Sequence, residues 1–592
     1  MLSIIKKLFN GIAEVDVKEK YSLEALQIFV EENINTINRT SIDDLGKSPE
    51  EVLNAKKRKD LFKKQLKNCG LGDISSKQFI KSWIADLITQ KYGVNDENID
   101  YIINFDFPTV YDKFYIILNR YKEIYKYDAL KKLILDNELD QLKAVENENM
   151  YAITEEDIND IYEKESYGVV RKLSFKEKLE IVVQQVYERS HGLSVIDEIR
   201  DMNCDGLSLG VSGVPIDFIT KINDMNAKNN TDIKYPLSYE SVWLYFQGKE
   251  IYLKFISFGS QRELERVCKK IYRFNNQKQF TKSDGFIFNN MADFSRVAVF
   301  RPPYSEGWAA FIRKFDIDGD LELIEGQNAH IVREFIDFIV KAKENLCVSG
   351  QQGAGKTTML VGAVKKMYAN ITLRIWESYF ETFLRFKMPH RNIVTLRETE
   401  ELDGGRALES IKKTNGQVTI ISEAAEDKIK NYVIKGALAA SECVLWTDHS
   451  ETADDLVQSH RNACLNVGGF RDEDKAEEQV LSVLKWNLHL KKDAEGERYI
   501  ERITEFIRQD EREYIQESDT KSFYKNTVRF FEKRTNAKKY KAVNIIEYDV
   551  ENKKYVVKNE ISEARKNAMY DNLMKDDKER FIEFLDSMKE VM

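Results

Sequence analysis

Four short stretches of this sequence carry residues that could do chemistry on a phosphate. The first is Leu346-Cys-Val-Ser-Gly-Gln-Gln-Gly-Ala-Gly-Lys-Thr-Thr-Met-Leu360. Gly350, Gly355, Lys356 and Thr357 fill the pattern G-x-x-x-x-G-K-[ST], and Gly353 adds a glycine inside it. Such a loop cradles the phosphates of a nucleoside triphosphate with backbone N–H groups, which side chains would obstruct. Gln351, Gln352, Ala354 and Thr358 complete the expected binding loop. Lys356 would bring a point charge to the β- and γ-phosphates, and the Thr357 hydroxyl would ligate Mg²⁺. The other three stretches supply Glu377, Glu423 and His449. Phosphoryl transfer to water needs a metal ion, donors for the developing charge and a group that orients the attacking water. Glu423 is the expected water activator or metal-shell carboxylate, Glu377 a second group for water or metal, and His449 a hydrogen-bonding sensor of the γ-phosphate. The bland readings are a helix N-terminal carboxylate for Glu423, an ordinary loop carboxylate for Glu377 and a satisfied structural histidine for His449.

The elements that must position these residues can be read around them. Leu346–Val348 is a short apolar run before the loop, and Thr357–Met367 reads as a helix whose N-terminus aims its dipole at the phosphates. Ile371–Trp376, Val418–Ile421 and Cys443–Trp446 read as buried strands ending at Glu377, at Ser422-Glu423 and at Thr447-Asp448-His449. Helical patterns (Gly404–Lys413, Asp427–Ala440, Glu451–Cys464) separate or follow them. Alternating strands and helices imply a parallel sheet with right-handed crossovers, and ligands sit at the carboxyl ends of such strands. All four groups fall at or just beyond such an end.

The chain has 592 residues, 42% of them hydrophobic and 32% charged, which fits a globular protein of roughly three to five domains. No run approaches the roughly 18 apolar residues of a membrane span. Met1–Asn10 lacks the long apolar stretch of an export signal. The six cysteines are scattered without a C-x-x-C pair, as expected of reduced thiols in the cytosol. A net charge of −9 argues against a dedicated nucleic-acid binder.

Residues 1–165 read as a helical accessory domain, with apolar helical spacing in Leu23–Phe29 and Phe79–Leu87 and a cap at Asp73 or Ser75. Its basic helix, Lys56 to Lys67, is either a solvated face or a docking surface for an acidic partner or anionic membrane. Met1–Phe9 could lie on a membrane or pack on its neighbours. Residues 166–316 read as mixed α/β: a helix over Phe175–Ser190, strands at Val242–Phe246 and Ile251–Ile256, a helix over Arg262–Arg273, and a strand pair at Ser295–Pro303 and Ala309–Phe315. Residues 317–510 hold the nucleotide core. Residues 511–592 form a small α+β extension: a charged helix over Tyr514–Arg534, a hairpin about Glu551-Asn552, and a helical tail that packs on the core or on a partner.

These motifs, in this order, resemble the secretion-type ATPases of type II, type IV pilus and type IV secretion systems, especially the CpaF branch that serves Tad/Flp-like pili. Ile375-Trp-Glu377-Ser-Tyr-Phe-Glu381 resembles the family's acidic box, Ile421-Ser-Glu423 its Walker B end, and Thr447-Asp-His449-Ser450 its His box. Asp293-Phe-Ser-Arg296-Val297, Pro302-Pro303 and Phe311-Ile-Arg313-Lys-Phe315 resemble the family's D-G-S-R-V … P-P … I-R-K-F signature. Trp486–Leu490 and Ile500–Glu505 resemble the hairpin that closes its core. The resemblance covers residues 170–510 and implies a RecA-like P-loop core preceded by the motor's N-terminal domain. It also implies that Arg296 and Arg313, with Arg273 behind them, reach nucleotide phosphates. The implied protein is an Mg²⁺-dependent ATPase, a hexameric homo-oligomer at the cytoplasmic face of the inner membrane. It would work on a membrane platform protein of a pilus or secretion system, with no specific nucleic acid. Ser378, Ser422, Ala425 and Ser450-Glu451 depart from the family pattern. They favour a second reading, an ATP-binding scaffold with little hydrolysis. A soluble P-loop kinase or GTPase is a third, though no GTPase base-specificity motif is evident.

Overall fold

The computed structural model describes residues 19–40, 49–145, 148–168, 173–229, 234–276, 279–314, 319–398, 404–411, 413–439, 441–494, 496–508, 519–535 and 539–592. The expected Met1–Phe9 segment and the expected boundaries at 316/317 and 510/511 lie outside these residues. The chain divides into two compact units, Met1–Asp316 and Ile317–Met592.

In the first unit, strands β1 (Leu142–Val145), β2 (Glu148–Ile153), β3 (Gly206–Leu209), β4 (Val242–Phe246), β5 (Lys249–Leu253), β6 (Phe286–Asn290), β7 (Arg296–Phe300) and β8 (Ala309–Arg313) form one sheet. Its order is β1-β2-β5-β4-β3-β8-β7-β6. Helices pack around it, and their ends follow local chemistry. Thr109 and Asp112 close a capping box on Val110–Tyr125, Ser174 and Glu177 do the same for Phe175–Ser190, and Asp73 caps Ile74–Leu87. One cluster of buried side chains runs from Leu26 to Ile312. The helical stretch expected as a separate 1–165 domain therefore shares its core with residues 166–316, and its β1–β2 hairpin joins the sheet through the parallel β2–β5 pair. A hairpin of short half-exposed strands carries too weak an alternation to stand out in sequence.

In the second unit, strands β9 (Leu346–Gly350), β10 (Leu373–Glu377), β11 (Ile393–Arg397), β12 (Val418–Ile421), β13 (Cys443–Asp448), β14 (Trp486–Lys492), β15 (Arg498–Arg508), β16 (Tyr540–Asp549) and β17 (Lys554–Val557) form a sheet of order β11-β10-β12-β13-β9-β14-β15-β16-β17. Pairing is parallel from β11 to β14 and antiparallel from β14 to β17. This is the α/β P-loop architecture expected: β9 lies between β13 and β14, and every residue of β9, β10, β12 and β13 is buried. Continuous apolar runs are what strands covered on both faces require. The sequence reading missed β11, and it placed β14 in a closing hairpin without its parallel pairing to β9.

The C-terminal residues resolve the open choice for the tail. Helix Lys575–Val591 packs on helix Ala329–Lys341, with Phe581 and Phe584 at 5.0 and 5.2 Å from the Phe338 ring. Burying each such ring contributes roughly 1.5–3 kcal/mol. Arg580 reaches Glu334 at 2.9 Å and Asp337 at 3.0 Å, and Lys341 reaches Asp577 at 3.1 Å. The hairpin β16–β17 extends the same sheet, so both elements belong to the core of the second unit.

Candidate functional site

The loop after β9 turns where only glycine fits. Gly350 has φ of +145°, and a Cβ there would lie 2.3 Å from the Leu490 carbonyl oxygen of the neighbouring β14. Gly355, at φ +93°, is the N-cap of helix Lys356–Lys366. A left-handed residue at that point lets the helix start with its first N–H groups facing the loop. Thr357 and Thr358 follow in the first turn, half-buried, and Ala354 is buried beneath the loop. Gln351 and Gln352 are exposed, and Gln351 donates to Glu451 Oε1 at 3.2 Å.

Lys356 is held over the loop. Its ammonium donates to the carbonyl oxygens of Gly350 (2.8 Å) and Gln351 (3.0 Å), and it lies 3.3 Å from His449 Nδ1. His449 Nε2 lies 2.7 Å from Glu423 Oε1. An ammonium group can only donate, so in this contact Nδ1 accepts, and Nε2 is left to carry the N–H toward Glu423. Lys356, His449 and Glu423 thus form one chain of polar contacts across the carboxyl ends of β9, β13 and β12. Glu423 and His449 stay open, with side chains 40% and 42% exposed. Backbone ties beyond the strand ends fix their approach. Ala424 N–H donates to the Thr447 carbonyl at 2.9 Å, and the Thr447 hydroxyl donates to the Ser422 carbonyl.

Glu377 stands apart. It is 1% exposed, and its Oε1 accepts the N–H groups of Thr382 (2.9 Å) and Glu381 (3.4 Å). Burial pushes its carboxyl up to about 7 against those hydrogen bonds. It forms no hydrogen bond to Lys356, His449 or Glu423 among the described residues. The carboxylate is turned onto the loop that follows its own strand.

Sequence reasoning missed several polar groups at this edge. Asp448, fully buried at the end of β13, accepts from the Ser450 N–H (2.8 Å) and faces Lys430 Nζ at 3.4 Å. Its signal was a carboxylate closing an otherwise apolar strand. His489 on β14 contacts Ser349 Oγ at 2.8 Å; burial and Arg502 beside it lower its pKa to about 4, so it is neutral near pH 7. Asn487 also donates to Ser349, at 2.8 Å. Arg498 on β15 brings its Cδ within 3.7 Å of where a Cβ on Gly355 would sit. β14 and β15 were read without their place beside the loop, which left these residues without a role.

Arg296 and Arg313 belong to the other unit. They face each other as partners in the antiparallel β7–β8 ladder, with Arg313 exposed. Partners in such a ladder share one sheet face. Asp293 of the same motif receives Arg200 and, at 2.9 Å, the Ser295 hydroxyl. Phe315, at the end of that motif, lies outside the described residues.

Mg²⁺ shared with nucleotide phosphates takes one or two protein oxygens rather than a full cage. Thr357, at the helix start, and Glu423, across the loop, are oxygen donors of that kind. Among the described residues no group of three or more His, Cys, Asp or Glu could hold a metal alone. The glycine cradle and this donor set fit a metal–nucleotide complex.

No protein-family model matches the sequence, and no curated protein matches it. Solved structures similar to the chain include the VirB11 ATPase of the Brucella suis type IV secretion system, with 14% identity over 45% of this chain and 86% of that one, at a TM-score of 0.26. The Legionella pneumophila ATPase DotB shares 12% identity over 51% of this chain and 77% of its own, at 0.36. The pilus retraction motor PilT with bound ADP shares 11% over 64% and 86%, also at 0.36. At such identities and scores the likeness carries no argument about activity.

Proposed function

We propose that this protein is an Mg²⁺-dependent ATPase of the secretion type. One observation carries the reading: the chain of contacts from Lys356 through His449 to Glu423, drawn across the strand ends beside a complete phosphate-binding loop. Backbone N–H groups of residues 350–358 would bind the phosphates, and Lys356 would exchange its carbonyl partners for phosphate oxygens. Thr357 and Glu423 would hold Mg²⁺, which when bound neutralises charge on the β- and γ-phosphates. Glu423, open to solvent, would orient the attacking water and accept its proton, with His449 keeping the carboxylate aimed. Arg296 and Arg313 are proposed, by the motif resemblance, as donors to nucleotide phosphates. By the motif resemblance, the working form is a hexameric homo-oligomer at the cytoplasmic face of the inner membrane. Its partner is a platform protein of a pilus or secretion system, with the CpaF branch as the nearest pattern.

The second reading, an ATP-binding scaffold, draws on Ser422 and Ala425 in place of the family's Gly and Arg. One assay separates the two. Purified full-length protein is tested for Mg²⁺-dependent ATP hydrolysis beside Lys356→Ala and Glu423→Gln. The motor reading expects turnover that falls roughly a hundred- to thousandfold in either variant, with ATP binding kept by Glu423→Gln. Tight ATP binding without wild-type turnover in the assembled form replaces it with the scaffold. Finding neither binding nor turnover removes both.

A further inference from the structure

The first unit contains a cleft of about 690 Å³ whose lining is cationic. Lys67 enters it from the last turn of helix Pro49–Asn68, Arg266, Lys269 and Lys270 from helix Gln261–Ile271, and Arg273 from just beyond that helix. Asn275 and Asn276 add neutral amide groups, Leu71 adds apolar surface, and among the described residues no acidic side chain is part of the lining.

A structural reason exists for some of this charge. Cations in the last turn of a helix complement its dipole. Arg266 is held by Glu263 at 2.7 and 2.8 Å and by the carbonyl oxygens of Gly192 (3.2 Å) and Glu188 (3.3 Å). Lys269 is paired with Glu265 and lies 5.3 Å from the centre of the Trp308 ring, and Lys270 donates to the His191 carbonyl. Lys67 and Arg273 have no such account. Neither side chain forms an ion pair or hydrogen bond among the described residues, and both residues are exposed. Five cations converging on one concavity, two of them unspent, raise the local anion concentration by field focusing. Exposed Lys56, Lys57, Arg58, Lys63 and Lys64 on the same helix as Lys67 extend the field outward.

We propose that this cleft binds a phosphate-bearing anion, with Lys67 and Arg273 as its principal ligands and Asn275 beside them. The volume fits one small polyanion, such as an oligophosphate or the headgroup of a phospholipid, and lies in the ordinary range for ligand pockets. An ammonium supplies a point charge and a guanidinium a planar fork, a pairing suited to adjacent phosphate oxygens. The inference does not depend on the nucleotide reading of the Lys356 loop.

The test uses the full-length protein carrying Lys356→Ala, titrated calorimetrically with inorganic pyrophosphate. A binding isotherm is expected. Adding Lys67→Glu and Arg273→Glu should weaken it at least tenfold, and raising salt should weaken it further. The milder pair Lys67→Gln and Arg273→Gln, both at exposed positions, should weaken it in the same direction with the unfolding midpoint unchanged. In a second arm, the protein is co-sedimented with phosphatidylcholine vesicles with and without phosphatidylglycerol. Sedimentation only with the anionic lipid, lost in the charge-reversed protein, identifies a headgroup as the source. Pyrophosphate binding without sedimentation identifies a free anion. No isotherm in the Lys356→Ala protein, or one that neither charge change weakens, overturns the proposal. ATP hydrolysis by the wild-type chain is read separately, so failure here leaves the nucleotide reading standing, and the reverse.

Discussion

Both units concentrate charged side chains, but in opposite ways. At the strand ends of the second unit, Glu423 and His449 are about two-fifths exposed and linked in an open chain to Lys356. In the first unit, a denser set of charges is sealed inside the core. Lys77 sits 2.8 Å from Asp201 and 3.3 Å from Glu198 and also contacts Asp197, with all four side chains under one-tenth exposed. Lys122 binds Glu198, and Arg200 reaches Asp201 at 2.6 Å. Burial alone would lower the pKa of Lys77, yet Asp197, Asp201 and Glu198 together hold it well above the usual value. Each of these named charges has its partner, so the network fixes the packing of helix Ile74–Leu87 against residues 197–201. The open chain holds groups in place while leaving room for a substrate. Perturbed ionisation therefore does not by itself mark a site in this protein; the proposed site rests on convergence at an accessible sheet edge.

The sharpest way to break that comparison is to treat the sealed network as dispensable. Lys77→Met removes one cation from among three buried carboxylates. Breaking such a pair one-sidedly costs about 3–5 kcal/mol, because the carboxylates lose their compensation. Denaturant unfolding of the variant should show the first unit weakened by that amount, while ATP binding to the isolated folded protein stays within about twofold. A variant as stable as the wild type would mean that the network is solvated and not a structural lock.

A smaller effect is expected at the open chain. His449→Ala leaves Lys356 its two carbonyl partners but frees Glu423 to rotate. Hydrolysis should fall roughly ten- to a hundredfold through kcat, with KM little changed, as for loss of a group that positions another. His449→Gln, which can still donate toward Glu423, should restore part of that loss. An unchanged kcat in the alanine variant would remove His449 from the proposed machinery.

How much of this was legible in the sequence depended on whether the signal was local. The glycine loop, its flanking strand and helix, and the buried strands carrying Glu377 and Glu423 all announce themselves within a dozen residues. So do the cap at Asp73 and the strands that carry Arg296 and Arg313, which read as a pair. What was not legible was created by distant pairing. Nothing near Lys77 marks it as the partner of residues about 120 positions further on. Asp448 reads as a strand-end carboxylate until Lys430 is found against it. β11 was missed because Ile393-Val-Thr-Leu-Arg397 is short and only partly buried, so it lacks the continuous apolar run of its neighbours. The tail was ambiguous because an amphipathic stripe shows that a face will be covered without showing by what.

Glu377 tests the comparison from between the two regions, since it closes a strand at the same sheet edge as the phosphate loop yet is buried like the sealed network. Its carboxyl is pushed from an ordinary value of 4.5 to about 7, chiefly by burial. A carboxyl raised in the folded state binds its proton more tightly there than in the unfolded chain. Stability from this group is therefore fully present below about pH 4.5 and is lost as pH rises through about 7. Glu377→Gln keeps the shape and an oxygen to accept the Thr382 N–H, but it cannot charge. Relative to wild type, the variant should gain about 2–3 kcal/mol between pH 5 and pH 8, read as the difference in unfolding free energy at the two values. If Glu377→Gln instead abolishes hydrolysis while leaving the pH dependence of stability untouched, Glu377 belongs with the open site, and the line drawn here between sealed and working charge must move to include it.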